Sequence, residues 1–454
     1  MAKMIDECVA HFKDILVSFS KNEDQTLENA ETVLTEQVYG VVAEFLGRLY
    51  EAKDEEILRD KKQRRADGLV VERRGDKRQI LTAFGPVNYQ RTYYKAANGY
   101  EYPVDEIAGV EGYSRISRGI STGLVAAACS CSYEKSSIAV TGGAVSRQTV
   151  MRKIRQVEAP QTTEREEKRK VPVLHIDADE DHVALQSGRN TIVPLVSVYE
   201  GKEKVCQGRN RCVNAFHIAR YGESTDDLWE RVLSEIEARY DISETEIYLH
   251  ADGGNWIQTA KDWFPGIKFV MDDYHKNKAI KKALSGIDRE TAKAYEKAIR
   301  KSFLEEDARL LTEIRESMAA AYPDREETIR GGMDYLIRFF DGIHLRATDP
   351  ESVSGGATEP HVQHVLSQRL SSTPKAWSEE TLKHFVPILA ASKIDYSSPA
   401  ITVLAENKTT EKQKPKMRNT AGMIDPDSVI VFPAEAYKRT ALGATLKAFG
   451  KQRF

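Results

Sequence analysis

The chain is poor in cysteine, in net charge and in uninterrupted apolar runs, and each shortage excludes something. Five cysteines (Cys8, Cys129, Cys131, Cys206, Cys212) in 454 residues are an odd and sparse set. None stands in CxxC spacing, which argues against a disulfide framework or a zinc finger and for a reducing compartment. Cys206, Cys212 and His217 could contribute to a metal site. Their spacing fits no zinc template, so buried free thiols are the better reading. No apolar stretch nears the roughly 20 residues a membrane helix needs. The first residues, MAKMIDECVAHFKDILVSF, lack the apolar core of a signal peptide, so a cytoplasmic protein without a membrane span is expected. With 66 basic and 69 acidic residues the net charge is −3, so any nucleic-acid role must rest on local charge distribution.

What is present suggests several units, because 454 residues exceed what one core usually serves. Residues 1–66 read as helices from apolar positions three and four apart, ending in the basic run Lys61, Lys62, Arg64 and Arg65. Residues 67–115 change to short antiparallel strands, with turn signals at Arg74-Gly75-Asp76 and Gly85-Pro86. There Arg73, Arg74 and Arg91 lie among Tyr89, Tyr93 and Tyr94, a mixture that suits a nucleic-acid surface and equally an exposed sheet face. Within 116–160 a helix from Ser132 meets Gly142-Gly143. Ser146 then caps a second helix whose first turn presents Arg147, Gln148 and Thr149, the layout of a helix-turn-helix.

A charged linker is expected at 161–170. The chain then becomes α/β over 171–274: VPVLHI, VALQ and TIVPLVSVYEG as three consecutive strands, NAFHIARYG extending the sheet, then helix, strand, short helix and strand. Residues 275–346 are charged and helical, an insertion. Residues 347–405 return to the α/β unit with an apolar stripe at Val362, Val365, Leu366 and Leu370, and 406–454 are polar and lysine-rich.

Acids end the strands of the α/β unit: Asp177 and Asp179 on the first, Asp252 after EIYLHA, Asp272 and Asp273 after IKFVM. Glu359 opens the later helix. Singly each is an ordinary turn or cap, and Glu180 and Asp181 are expected to be solvated. Together, at the carboxyl ends of strands where α/β sheets place ligands, they would repel unless a cation intervened. Hard oxygen donors point to Mg²⁺ or Mn²⁺. Two such ions about 3.5–4 Å apart serve phosphodiester chemistry; a glycosidase pair of carboxylates is the competing use.

HIDADEDHVALQ, YLHADGGNWI, FVMDDYHKNKAI and ATEPHVQHVLSQRLSSTPKAWS resemble, in the same order, the signature blocks of the ISLre-type bacterial insertion-sequence transposases, also catalogued as an uncharacterised family. TAFGPVNYQRTYYK and SYEKSS resemble its N-terminal part. The resemblance implies a DDE transposase, distantly Mutator-like, with an RNase H-like α/β core of mixed sheet and flanking helices. A helical insertion is implied inside that core, and a helical and β-hairpin DNA-binding region before it. It implies Asp179, Asp252 and Glu359 as catalytic metal ligands, with Asp177 the rival for the first place and Asp272 and His275 in support. It also implies two Mg²⁺ or Mn²⁺ ions, double-stranded DNA (terminal inverted repeats and target) as partner, and a homodimer or higher oligomer on DNA. Pro360 departs from the family, which has Gly there; proline is tolerated in a helix's first turn. Two alternatives stand: an inactive derivative that only binds DNA, and an RNase H-like nuclease that cuts without joining.

Overall fold

The computed structural model describes residues 2–157, 167–207 and 209–392. Most of the expected linker and the whole 406–454 segment lie outside them. The chain divides into two compact units, 1–158 with 401–454, and 159–400.

The first unit opens with α1 (Ala2–Ser20), α2 (Leu27–Arg59) and α3 (Lys61–Ala66). An antiparallel sheet of β1 (Val70–Thr82), β2 (Gly85–Ala96) and β3 (Gly99–Glu101) follows. Helices α2 and α4 (Pro103–Ile107) cover this ribbon: Ala43 of α2, Ile80 of β1, Val87 and Tyr89 of β2 and Val104 of α4 form one buried cluster. Buried Asp54 of α2 fastens the same joint, accepting from the Thr92 amide at 3.0 Å and its hydroxyl at 2.6 Å. The turn expected at Gly75 is instead a bulge inside β1. The chain stays paired with β2, while the register jumps from Arg73–Tyr93 to Asp76–Arg91 and Gly75 takes φ of 75°. An extra residue in a long ribbon is absorbed this way without reversing the chain.

Three further helices follow among the described residues: α5 (Arg118–Ala128), α6 (Tyr133–Thr141) and α7 (Arg147–Gln156). Ser132 caps α6, Gly142 ends it in the left-handed conformation, and the Ser146 side chain accepts from the Thr149 amide to start α7. Two short helices are thus joined by a tight turn, with Val150 and Ile154 of α7 buried.

The second unit is built on a five-stranded mixed sheet. Its strands are β4 (Val173–Ala184), β5 (Asn190–Tyr199), β8 (Phe216–Ala219), β9 (Glu246–Ala251) and β10 (Lys268–Met271), in the order β10-β9-β4-β5-β8. β5 pairs antiparallel with both β4 and β8, whereas β9 pairs parallel with β4 and β10 parallel with β9. A small hairpin, β6 (Lys202–Cys206) with β7 (Arg209–Cys212), stands apart between β5 and β8 in the chain. VLHI and VALQ are not two strands. The acids between them stay in the ladder, Asp177 through Asp181 pairing residue by residue with Ser197 through Val193.

One face of this sheet packs Ile176, Ala178, Val196 and Val198 against Leu228, Trp229, Val232 and Ile236 of α8 (Thr225–Glu237). Ser224 and Asp227 form a reciprocal capping box at its start. Two short helices, α9 (Asn255–Gln258) and α10 (Ala260–Trp263), link β9 to β10.

The expected helical insertion is present as α11 (Asp273–Leu284), α12 (Arg289–Leu304), α13 (Ala308–Ala321), α14 (Glu326–Arg338) and α15 (Phe340–Thr348). It has its own core, including Ile280, Ile299, Leu311, Met333, Leu336 and Phe340. After α16 (Pro350–Ser354), α17 (Thr358–Val362) continues through one π-wound stretch, Gln363–Ser367, into α18 (Gln368–Leu370). Val362, Val365, Leu366 and Leu370 are all buried, as the stripe predicts. The last described helix is α19 (Glu379–Ala391). Among the described residues no helix is long and apolar enough to cross a membrane.

Candidate active site

Side chains alternate across a strand, so His175, Asp177 and Asp179 share one face of β4, opposite the face that packs on α8. Along neighbouring β9 the register pairs Asp177 with His250 and Ala178 with Ala251. One step further puts Asp252 opposite Asp179, on strands about 4.8 Å apart. Two carboxylates thus meet just past the last paired residues of the parallel β4–β9 ladder, where β9 ends and β4 runs on.

Their surroundings differ. Asp179 is half-buried, and its carboxylate accepts from the neighbouring Glu180 amide at 2.8 Å. Its carboxyl is pushed up to about 7, first by burial and then by the negative charges of Asp252, Glu180 and Glu359, against the lowering effect of that amide. Glu359 therefore stands within electrostatic reach of Asp179, although its own side chain is exposed in the first turn of α17.

Asp252 is locked from two sides. Its carboxylate accepts from the Gly254 amide at 2.9 Å, and its carbonyl accepts from the Tyr335 hydroxyl of α14 at 2.5 Å. Gly253 between them has φ of 87°, and a Cβ there would collide with the ring of Phe339. We expect Gly253→Ala to cost roughly 2–5 kcal/mol, a left-handed residue costing about 1–2 and overpacking about 1–3. A urea midpoint unchanged from wild type would contradict this packing.

Asp177 is tied into the protein at every side. It accepts from the Tyr199 hydroxyl at 3.0 Å and from the Ala357 amide at 2.7 Å. With His361 of α17 it makes an ion pair at 3.2 Å whose geometry falls short of a hydrogen bond. Burial opposes its ionisation, but the contact with His361, the charges of His250 and His361 and the Ala357 amide outweigh it and hold the carboxyl below the usual range. Burial likewise opposes a charge on His361. Contact with Asp177 and Cys212 overcomes this and raises it to about 9. Asp177 is thus a tether joining β4 to the segment that carries Glu359, and Asp179 is the acid with free capacity.

Asp272 and His275 are adjacent but not tightly paired, at 3.9 Å. Asp272 caps α11 and accepts from the Thr358 hydroxyl at 3.0 Å. Ala357 holds the N-cap place of α17, and the Thr358 hydroxyl instead braces α17 against α11. Pro360 sits in the first turn of α17, where its missing N–H leaves no bond unmade.

Glu180 and Asp181 are not solvated. Trp256 donates its indole N–H to Glu180 at 2.5 Å, and Ser371 donates to both oxygens of buried Asp181 at 2.8 and 3.0 Å. Continuing the strand through the acids carries Asp181 to the face under α18. Cys206 is exposed rather than buried, while half-buried Cys212 lies 3.6 Å from His361. Sequence reasoning missed the buried partners His175, His250, Tyr199 and His361. His175 and His250 are 3.0 Å apart, and burial first of all drives His250 down to about 3. Polar residues at every second place of an apolar strand, in LHIDAD, were the signal.

The donors are of the right kind for a hard cation. Among the described residues, however, no three His, Cys, Asp or Glu side chains are grouped closely enough to hold one ion. Glu359 would have to come inward to complete such a set.

In the first unit, Arg147 and Gln148 are exposed at the start of α7, and Thr149 is half-buried against the Ser146 cap. Arg74 is exposed on β1. Arg73 is bound to Asp76 at 2.8 Å and lies over the Tyr93 ring at 4.4 Å. Arg91 is not a surface residue. It is 8% exposed, ion-paired with buried Asp105 and stacked on Tyr102 at 3.5 Å. The alternation of β2 points it inward, where it neutralises Asp105.

Residues 21–400 match the profile of an uncharacterised protein family, UPF0236. The chain belongs to this family. A UPF0236 protein of Caldanaerobacter subterraneus subsp. tengcongensis is 35% identical over 393 residues, 86% of this chain and 82% of that one. Another from the same organism, whose name joins eleven locus designations, is 35% identical over 82% of this chain and 80% of its own. A UPF0236 protein of Streptococcus gallolyticus, described as in the vanSb 3′ region, is 23% identical over 81% and 83%.

Proposed function

We propose that this UPF0236 protein is a DDE transposase of the ISLre type with an RNase H-like core, which binds terminal inverted repeats and cuts and joins DNA strands. The observation that carries this is the closeness of Asp179 and Asp252, one step past the end of the parallel β4–β9 ladder, with the Asp179 carboxyl pushed to about 7 by burial and by neighbouring acids. A group so placed gains most from a cation. The strand order, three antiparallel strands followed by two parallel ones on the other side of the first, supports the fold reading. A relative whose name joins eleven loci supports mobility, since a gene that is copied leaves copies.

Asp179 and Asp252, joined by Glu359, would hold Mg²⁺ or Mn²⁺. The ions would supply an activated water or 3′-hydroxyl and charge on the departing oxygen. Asp177 and Thr358 hold the Glu359 segment against β4 and α11; Tyr335 and Gly253 hold Asp252. Arg147, Gln148 and Thr149 of α7, with Arg73 and Arg74, are the proposed DNA contacts. A homodimer or higher oligomer, one copy at each DNA end, follows from this reading, as does a cytoplasmic location.

A second reading, a derivative that binds DNA without cutting, draws on the exposure of Glu359, which leaves it apart from Asp179 and Asp252 among the described residues. Labelled repeat DNA incubated with purified protein and Mg²⁺ separates the two. Cleavage and joined products are expected from wild type and none from Asp252→Ala. Binding without cleavage supports the second reading, cleavage without joining supports a nuclease, and full cleavage by Asp252→Ala sinks the metal site.

A further inference from the structure

Two residues past Asp272, the side chain of Tyr274 is 66% exposed. His275 meets it edge-on with ring centroids 5.1 Å apart, and the Lys278 ammonium lies 5.9 Å from the ring centre. Neither covers it. Tyr274, Asn277 and Lys281 follow one another at spacings of three and four, so they form one stripe along α11, about 10 Å long at 1.5 Å per residue. That stripe runs into a groove between α11 and α12, lined among others by Asn277, Lys281, Arg289, Lys293, Glu296 and Arg300. Four cations there face one carboxylate. Arg300 already occupies Glu296, at 2.8 Å, and reaches Asn277 at 3.0 Å. Lys281, Arg289 and Lys293 have no ion-pair partner among the described residues and are exposed.

We propose that Tyr274 is a stacking platform for an unpaired base at the DNA end held beside Asp179 and Asp252, and that the α11–α12 groove carries the phosphates of the same strand. The inference rests on reading those acids as a strand-cutting centre. An open aromatic ring accepts the face of any base, and cations along the adjoining groove neutralise the backbone, the combination that single-stranded nucleic acid requires. A purely structural tyrosine would be buried against its own core. Here the core of the insertion is made by Ala279, Ile280 and Ala283, on other faces of α11.

The test is a binding measurement on the full chain in EDTA, so that cleavage plays no part. The probes are a blunt repeat duplex and the same duplex with a three-nucleotide unpaired end containing 2-aminopurine. The overhang is expected to bind about tenfold more tightly than the blunt end, with 2-aminopurine emission quenched, one base stack being worth about 1–3 kcal/mol. Tyr274→Ala should erase both the difference and the quenching, and Tyr274→Phe should keep both. Lys281→Glu with Lys293→Glu should weaken both DNAs and flatten the salt dependence by about 1.4 in log–log slope, two phosphate contacts at 0.7 each. Equal affinity for the two ends, quenching that survives Tyr274→Ala, or a phenylalanine variant as impaired as the alanine one overturns the proposal. The cutting reading fails separately, by undiminished cleavage in Asp252→Ala, which leaves the EDTA measurements intact.

Discussion

Replacing Asp179 with asparagine is expected to stabilise the metal-free protein at pH 7 and to abolish strand cutting. The folded-state pKa of about 7 lies well above the ordinary 3.8, with burial the largest cause and Asp252, Glu180 and Glu359 adding to it. For an acid with a raised pKa the folded state holds the proton longer than the unfolded one. The resulting cost is absent below about pH 4 and grows as pH rises to about 7. Asparagine keeps the shape without the charge. The variant should match wild type near pH 4 and exceed it at pH 7 by roughly 2–4 kcal/mol, at about 1.4 kcal/mol per pKa unit. Because His250 titrates in the opposite sense, its neutral form being held down to about 3, the readout is the difference between the two proteins. Mg²⁺ should close that difference by stabilising wild type alone. Activity should fall by more than the roughly 10–100-fold that follows loss of a group supporting a metal ligand. A variant no more stable than wild type at pH 7 would falsify the electrostatic account of Asp179.

Asp177→Ala should do the reverse, lowering stability by about 3–5 kcal/mol, the usual result of removing one partner from a buried ion pair. The change strands the His361 charge and leaves the Tyr199 hydroxyl and Ala357 amide without their acceptor. Removing both charges, as Asp177→Leu with His361→Leu, should cost less than the single change, since no bare charge then remains. The sign with pH is also set. His361 is raised to about 9, so its contribution is complete below about 6.5 and is lost as pH rises through 9. Asp177 is depressed, so its contribution is lost only as pH falls below the usual carboxylate range. Urea midpoints from pH 6 to 9 should therefore decline more steeply in wild type than in Asp177→Ala. Parallel declines would remove His361 from the explanation.

The contrast between these two aspartates also marks where sequence reading stops. Periodicity and capping residues suffice for elements whose stability is local: α6 and α7 start and end where Ser132, Gly142 and Ser146 predict, and α8 opens on its capping box. Asp252 was legible as a strand-end residue and Glu359 as a helix-start one, whereas Asp179, read as ending its strand, lies within β4. Three things were not. The acids of DADED looked like a turn because strand preference is set by partners, and only β5 and α18 show why Asp181 is inside. Arg91 looked like a surface cation because nothing in its neighbourhood along the chain reveals Asp105, fourteen residues away. The tie between Asp177 and His361 spans 184 positions, and no local pattern encodes it.

Trp256, whose indole N–H grips Glu180 and whose ring stacks on Trp229 at 6.0 Å, is one of four tryptophans, with Trp229, Trp263 and Trp377, and all four fall in the second unit. The first unit is therefore optically silent when indoles alone are excited. Native emission follows the unit with the acids by itself, and an ion settling beside Glu180, as proposed, would perturb a fluorophore the protein already carries.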